Sequence, residues 1–299
     1  MHADQLNVGT HAVQHLVSDQ FPDWAHLRIT ALPQSGTDHA IFRIGDELAA
    51  RFPLQAGDPE IVHAKLQEEA RVLDELSAAV SVASPEPVAI GKPGHGYSLS
   101  WSVQTWVSGD VATPASIAES EAAAEDITRL IGELRQADTR GRTFNGQGRG
   151  GEIPDHDEWM ETCFAKSTEL LDTATLRSLW VKFRELPHAD EDVMSHSDLI
   201  PQNILVANNR ITGVIDGGMF GPADPALDLV AAWHLFDKER RDTVRDGLGG
   251  RDVEWQRGAA WAFQQAMGLV WYYETSNPIM ANLGRSTLFR ITEDPELFT

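Results

Sequence analysis

Two different periods of hydrophobic and polar positions divide this chain. Over 39–52, "HAIFRIGDELAARF", two short apolar runs flank Gly45-Asp46, the signature of a β-hairpin. From about Glu60 to Leu76 the period becomes helical. Beyond Pro85 and Pro87, "YSLSWSVQTWV" (97–107) reads as strand and is broken by Ser108-Gly109-Asp110. The remainder is mainly helical, with helix-like patterns over 116–137, 155–185 and 253–274. One β-like interruption, "NILVANNRITGVID" (203–216), reads as two strands around an Asn208-Asn209 turn. The pattern predicts an α+β chain in two lobes. The first (1–103) is β-rich with one helix, 104–110 connects, and the second (111–299) is helix-rich with one small hairpin. The segment "RGRTFNGQGRGGEI" (140–153) is a loop by its glycines, and a solvated linker is favoured over a lid.

Composition narrows the setting. A chain of 299 residues that is 42% hydrophobic and 8% aromatic can bury a sizeable core. No apolar run approaches the roughly 18 residues of a membrane span, and the first residues lack a basic-then-apolar leader pattern. The single cysteine, Cys163, leaves no internal disulfide framework and no cysteine-based zinc site. A cytoplasmic protein with no membrane partner is expected. The net charge of −21 repels phosphate backbones, so nucleic acid is not expected as a partner, and it attracts cations. Acidic surfaces also serve solubility alone, so the charge gains meaning only with a separate argument for a cationic substrate.

The densest candidate chemistry lies in "MSHSDLIPQNILV" (194–206). Asp198 and Asn203 stand five residues apart in the loop before the first strand of the 203–216 hairpin, and Asp216 closes the second strand ahead of Gly217-Gly218. A hairpin brings the start of one strand near the end of the other, so Asn203 and Asp216 should face each other. An amide oxygen plus a carboxylate is hard-ligand chemistry suited to Mg²⁺. Asp198, just upstream, could orient a hydroxyl and accept its proton. Phosphoryl transfer needs that combination: a metal at the nucleotide phosphates and a separate carboxylate at the attacking oxygen. Asp and Asn singly are most often turn residues; the three together, with a hairpin between them, argue for a site.

"HSDLIPQNILV…ITGVIDGG" resembles the "HGDLxxxNILV…GVIDxG" signature of the aminoglycoside phosphotransferase family, relatives of the protein kinases. The resemblance implies a protein-kinase-like two-lobe fold, Asp198 as catalytic base, and Asn203 and Asp216 as Mg²⁺ ligands. It extends into "GPADPALDLVAAWHLF" (221–236), similar to the family's "GDPAxDLA", where Asp228 would anchor the catalytic loop through backbone N–H groups. His196 would likewise hold the loop. Ser197 stands where the family usually has glycine, and Gly217-Gly218 departs from the usual aromatic-glycine pair.

A kinase also needs a cation at the nucleotide phosphates, held by an acid on a neighbouring helix. In the helix read over 60–76, Val62, Leu66, Leu73 and Leu76 make an apolar stripe whose missing member is Glu69. An inward carboxylate is costly without a cation, and Arg51 at the end of the second hairpin strand is the candidate partner. Protein kinases use lysine there; arginine binds phosphate as a bidentate fork. Ser35 and Gly36, in the turn before the hairpin, are candidate phosphate contacts. Backbone groups near Thr105 and Val107, in the "QTWVSGD" connector, are candidates for the purine of ATP or GTP.

For the acceptor, Glu274 and the acids of "IPDHDEWME" (153–161) are candidate cation-binding groups, while Trp255, Trp261, Trp271, Tyr272 and Tyr273 read mostly as packing. The sequence thus points to a Mg²⁺-dependent kinase, monomer or dimer, acting on a hydroxyl of a cationic small molecule. An aminoglycoside antibiotic is favoured, with the drug resistance that implies. A macrolide or a small metabolite akin to choline, homoserine or fructosamine is the alternative acceptor. Outside that class stand a catalytically dead nucleotide-binding module and a metal hydrolase using His188, His196 and Asp198. The hydrolase lacks the helical histidine spacing such sites use.

Overall fold

The computed structural model describes residues 6–32, 39–187 and 191–297. They form two compact units, 1–78 with 83–108 and 79–82 with 109–299.

In the first unit, α1 (Thr10–Gln20) precedes strands β1 (Ile29–Ala31), β2 (His39–Ile44) and β3 (Leu48–Pro53). Then come α2 (Pro59–Ala79), β4 (Pro87–Gly91) and β5 (Trp101–Thr105). The strands make one antiparallel sheet in the order β1-β2-β3-β5-β4. The hairpin expected over 39–52 is β2–β3, with Ile44 opposite Leu48 and Gly45 at φ +58 in the turn. Phe52 stacks on Trp101 with ring centroids 4.8 Å apart, and Val13, Leu16 and Val17 of α1 join the same core. Sequence reading allowed this lobe one helix; α1 is a second, legible only as three buried apolar positions among histidines. The strand expected over 97–107 is cut to 101–105, because Tyr97 turns back to pair with Gly94. Tyr97 and Leu99 are nevertheless buried, which is why their apolar pattern imitates strand.

The second unit begins with β6 (Asp110–Val111), α3 (Pro114–Ile117) and α4 (Glu121–Gln136), followed by α5 (Asp157–Lys166) and α6 (Thr173–Arg184). Next come β7 (Val193–Ser195), β8 (Ile204–Ala207), β9 (Arg210–Val214) and β10 (Gly221–Ala223). Helices α7 (Val230–Leu235), α8 (Lys238–Gly247), α9 (Asp252–Tyr272) and α10 (Pro278–Thr292) complete it. Helix α9 is buried on nearly every side, so it carries no clean apolar stripe. The helices read as 116–137 and 155–185 are each broken in two. Ser120 caps α4 by accepting from Ala123 N–H, and Asp172 caps α6 by accepting from Thr175 N–H. Two short pairings escaped the sequence reading, β7 with β10 and β6 with β8. The β8–β9 hairpin turns on Asn208 and Asn209 at φ +52 and +60, the left-handed pair of a type I′ turn. Among the described residues no helix is long and apolar enough to cross a membrane.

Candidate active site

Between β7 and β8 the chain makes a loop whose backbone is fixed from beneath. Buried Asp228 accepts from the His196 N–H at 3.1 Å, the anchoring role its motif implies. Burial pushes the Asp228 carboxyl up from its ordinary value, against the opposing pull of His196, Ser195 and Arg135. The His196 ring, fully buried, meets the Ile215 carbonyl through Nε2 at 3.1 Å and so ties the loop to the end of β9. Ser197 adopts φ +70, a left-handed conformation that costs a Cβ-bearing residue about 1–2 kcal/mol. Ser195 Oγ accepts its N–H at 2.9 Å. The chain then turns through a 3₁₀ segment, Pro201–Asn203, into β8.

These constraints set the polar atoms. The Asn203 amide nitrogen donates to Asp198 Oδ2 at 3.0 Å and to the Asp198 carbonyl at 2.9 Å. With its nitrogen so engaged, Asn203 turns its Oδ1 away as a free acceptor among the described residues. The hairpin register differs by one from the expected facing pair: Ile204 lies opposite Val214, and Ile215 N–H donates to the Asn203 carbonyl at 2.9 Å. Asp216 is therefore one residue past the ladder, at φ +61. The ladder ends there because a left-handed residue cannot continue a strand. An amide oxygen and a carboxylate carried at one hairpin end are hard-ligand chemistry suited to a small hard cation.

In the first unit, the Glu69 position on the α2 stripe meets Arg51 of β3. Arg51 Nη1 donates to Glu69 Oε1 at 2.7 Å, with side-chain exposures of 9% and 21%. Leu66, Leu73 and Leu76 of the stripe are buried beside it. Thr105 N–H is spent on the Glu86 carbonyl and Trp106 N–H on the Glu47 carbonyl, whereas the Val107 backbone has no partner among the described residues. Of the two, the Thr105 N–H is thus already engaged and the Val107 backbone is open among the described residues. Ser35 and Gly36 lie outside the described residues.

On the acceptor side, three of the candidate acids are already neutralised. Glu274 pairs with Arg285, Glu161 with Arg177, and Asp157 with Arg184 at 2.6 Å. Burial, with the neighbouring Tyr272 and then the Asp198 carboxylate adding to it, pushes the Tyr273 phenol up. The 140–153 segment is solvent-exposed over most of 140–148, as a linker would be, but it is pinned at several points. Asp192 accepts from Phe144 N–H, Asp224 N–H donates to the Gly150 carbonyl, and Arg257 donates to the Gly151 carbonyl. From it Arg149 Nη2 reaches Asp198 Oδ1 at 2.5 Å. Sequence reasoning missed Arg149; its only signal is a long cation set between glycines in "QGRGG".

A family model described as the phosphotransferase enzyme family matches residues 29–261. A curated Escherichia coli aminoglycoside 3'-phosphotransferase is 32% identical over 65 residues, which is 21% of this chain and 24% of that protein's length. Among solved structures, the GDP and kanamycin complex of APH(2")-IIia aligns with TM-score 0.70 at 17% identity, over 95% of this chain and 99% of that one. The macrolide 2'-phosphotransferase MphH from Brachybacterium faecium aligns with TM-score 0.63 at 18% identity, over 92% and 97%. The streptomycin-ATP complex of APH(2")-IIa aligns with TM-score 0.60 at 16% identity, over 98% and 99%. The fold is that of the kinase-like phosphotransferases, with a β-sheet first lobe and a helical second lobe.

Proposed function

Because the chain belongs to the phosphotransferase enzyme family, we propose that it is a Mg²⁺-dependent kinase passing the γ-phosphoryl group of ATP or GTP to a hydroxyl of a cationic small molecule. An aminoglycoside is the acceptor we favour, and the cytoplasm the compartment. We assign 1–103 as the nucleotide-binding lobe, 104–110 as the hinge and 111–299 as the acceptor lobe. The observation that carries the reading is the Asp198 carboxylate, held at Oδ2 by the amide of Asn203 whose own oxygen is left outward.

In this mechanism Asp198 orients the acceptor hydroxyl and takes its proton as the oxygen attacks the γ-phosphorus. The new O–P bond forms, the bond from γ-phosphorus to the bridging oxygen breaks, and the nucleoside diphosphate leaves. Asn203 Oδ1 and the Asp216 carboxylate would hold Mg²⁺, which when bound neutralises charge on the phosphates. Arg51, kept in place by Glu69, supplies a fork for phosphate oxygens, and the Val107 backbone is available to a purine edge. Ser35 and Gly36 complete the proposed nucleotide contacts. The net charge of −21 favours a polycationic acceptor by long-range attraction.

One observation favours a second acceptor class. The arginines on Glu274, Glu161 and Asp157 leave fewer acids for a polycation, which suits a macrolide or a small metabolite. A turnover screen with ATP and GTP, against aminoglycosides, macrolides and choline-like metabolites, decides between them. The expected result is nucleoside diphosphate release with an aminoglycoside, abolished by EDTA. Aminoglycosides that leave turnover at background overturn the acceptor assignment. Asp198→Ala should lower kcat by about 10²–10⁴-fold with nucleotide affinity near wild type; wild-type turnover in that variant overturns the base.

A further inference from the structure

Arg149 is presented to Asp198 with unusual care. Its neighbours Gly148 and Gly150 have φ +72 and +112, and a Cβ on Gly150 would come within 2.6 Å of the Ala223 Cβ on β10. Only glycine lets the backbone lie this close to β10. The Gly150 carbonyl is pinned by Asp224 N–H at 2.8 Å, which fixes the point from which the Arg149 side chain leaves.

The guanidinium is braced from behind by residues of three helices, and proton positions along the chain of bonds follow one from another. The Thr287 hydroxyl on α10 donates to the Leu283 carbonyl at 2.9 Å, so toward His234 it accepts. His234 Nδ1, 2.8 Å away on α7, is therefore the protonated nitrogen and Nε2 the acceptor. Full burial, with Arg290 and Arg149 near, pushes His234 down to about 4, so the ring is neutral near pH 7. Its Nε2 takes an N–H from the Gln265 amide on α9 at 2.9 Å, which turns the Gln265 oxygen to Arg149. That oxygen accepts from Arg149 Nε at 2.9 Å and from Nη2 at 3.2 Å, while Nη2 also donates to Asp198 Oδ1.

Asp198 is thus gripped at both oxygens, Oδ1 by Arg149 and Oδ2 by Asn203. Ordering a long arginine side chain costs rotamer entropy, which buried helices need not incur merely to pack. Resting on Asp198 as the base, we infer that Arg149 is a positioning residue for phosphoryl transfer. It fixes the orientation of the Asp198 carboxylate toward the acceptor hydroxyl, and the Gln265–His234–Thr287 chain holds Arg149 to that task. The inference adds a member to the site that lies about fifty residues from the catalytic motif, on the loop the sequence reads as a linker. Fixing a reacting group before the encounter raises kcat without strengthening nucleotide binding.

The test is steady-state kinetics on the full chain, with kanamycin as acceptor probe, or water (slow nucleotide hydrolysis) should kanamycin not react. Arg149→Ala should lower kcat by about 10–100-fold with nucleotide KM within about twofold of wild type. Arg149→Lys should recover part of the loss, since lysine reaches Asp198 but cannot also grip Gln265. Gln265→Leu should lower kcat by a smaller factor, about 3–10-fold. In an Asp198→Ala background, Arg149→Ala should cost nothing further, a non-additivity that a merely structural role does not produce. Wild-type kcat in Arg149→Ala, or an equal loss with Asp198 absent, overturns the inference. If Arg149→Ala does not fold, Arg149→Lys and Gln265→Leu carry the comparison, and wild-type kcat in both overturns it. An active Asp198→Ala enzyme sinks the base itself, whereas an inactive one beside a fully active Arg149→Ala sinks only the role of Arg149.

Discussion

Arg257 on α9 and Asp224 after β10 form an ion pair at 2.6 Å with both side chains 1% exposed. Asp224 also accepts from Trp261 Nε1 at 2.8 Å and from Ala226 N–H at 2.9 Å. Arg257 further donates to the carbonyls of Pro187 and Gly151. The pair therefore ties the base of the glycine-rich segment to the helical core. Removing one partner strands a charge that water cannot reach. Arg257→Ala should destabilise the protein by about 3–5 kcal/mol in urea denaturation. A loss below about 1 kcal/mol would show that solvent replaces the arginine.

Several features of the fold could be read from residues because each rests on local chemistry. Gly45-Asp46 and Asn208-Asn209 sit at positive-φ turns, and Glu69 interrupts an apolar stripe and meets Arg51. The hidden features depend on contacts distant in sequence. Arg149 reaches Asp198 across 49 positions and is itself braced through Gln265, residues that no spacing rule connects. The register that places Ile215, not Asp216, opposite Asn203 is set by the two-residue turn together with a shift in pairing between Leu205 and Val206, which a turn signal does not encode. Helix α1 is hard to read because its buried face is only Val13, Leu16 and Val17, with His11 and His15 on the exposed side.

Ser197 offers a direct test of loop strain. Its φ of +70 is uncongenial to a Cβ, and its hydroxyl gains only a long contact of 3.5 Å to the Ser195 carbonyl. Glycine relieves the strain of about 1–2 kcal/mol but costs about 0.5–1 kcal/mol in unfolded-state entropy. Ser197→Gly should therefore raise stability modestly, by up to about 1 kcal/mol in a urea melt. A lower midpoint would mean that the serine hydroxyl holds the loop more firmly than its geometry suggests.

Asp126 on α4 should control part of the acid limb of stability. Burial alone would raise its carboxyl, but hydrogen bonds from Arg210 and Arg129, with the Ile211 N–H, outweigh it and hold the carboxyl below its ordinary value. A depressed folded-state value means the unfolded chain binds the proton more readily. The stabilisation is complete above the unfolded value of about 3.9 and is lost as pH falls through the lower folded value. Asp126→Asn should be less stable than wild type at pH 6, with the difference shrinking toward pH 2. A difference independent of pH would assign the loss to hydrogen-bond geometry instead of charge.

Glu69 and Arg51 permit a test that separates nucleotide binding from folding. The pair is largely shielded, so Glu69→Ala should cost about 1–3 kcal/mol of stability as well as raise the nucleotide KM, since the fork loses its orienting acid. Arg51→Lys keeps the charge near Glu69 but not the fork, so its stability should stay close to wild type while its KM rises. The two variants together decide what the pair does. Loss of stability in Glu69→Ala with unchanged KM in both variants would make the pair a brace between α2 and β3. A raised KM in Arg51→Lys at wild-type stability would make it a phosphate-binding element, because only the fork has then been removed.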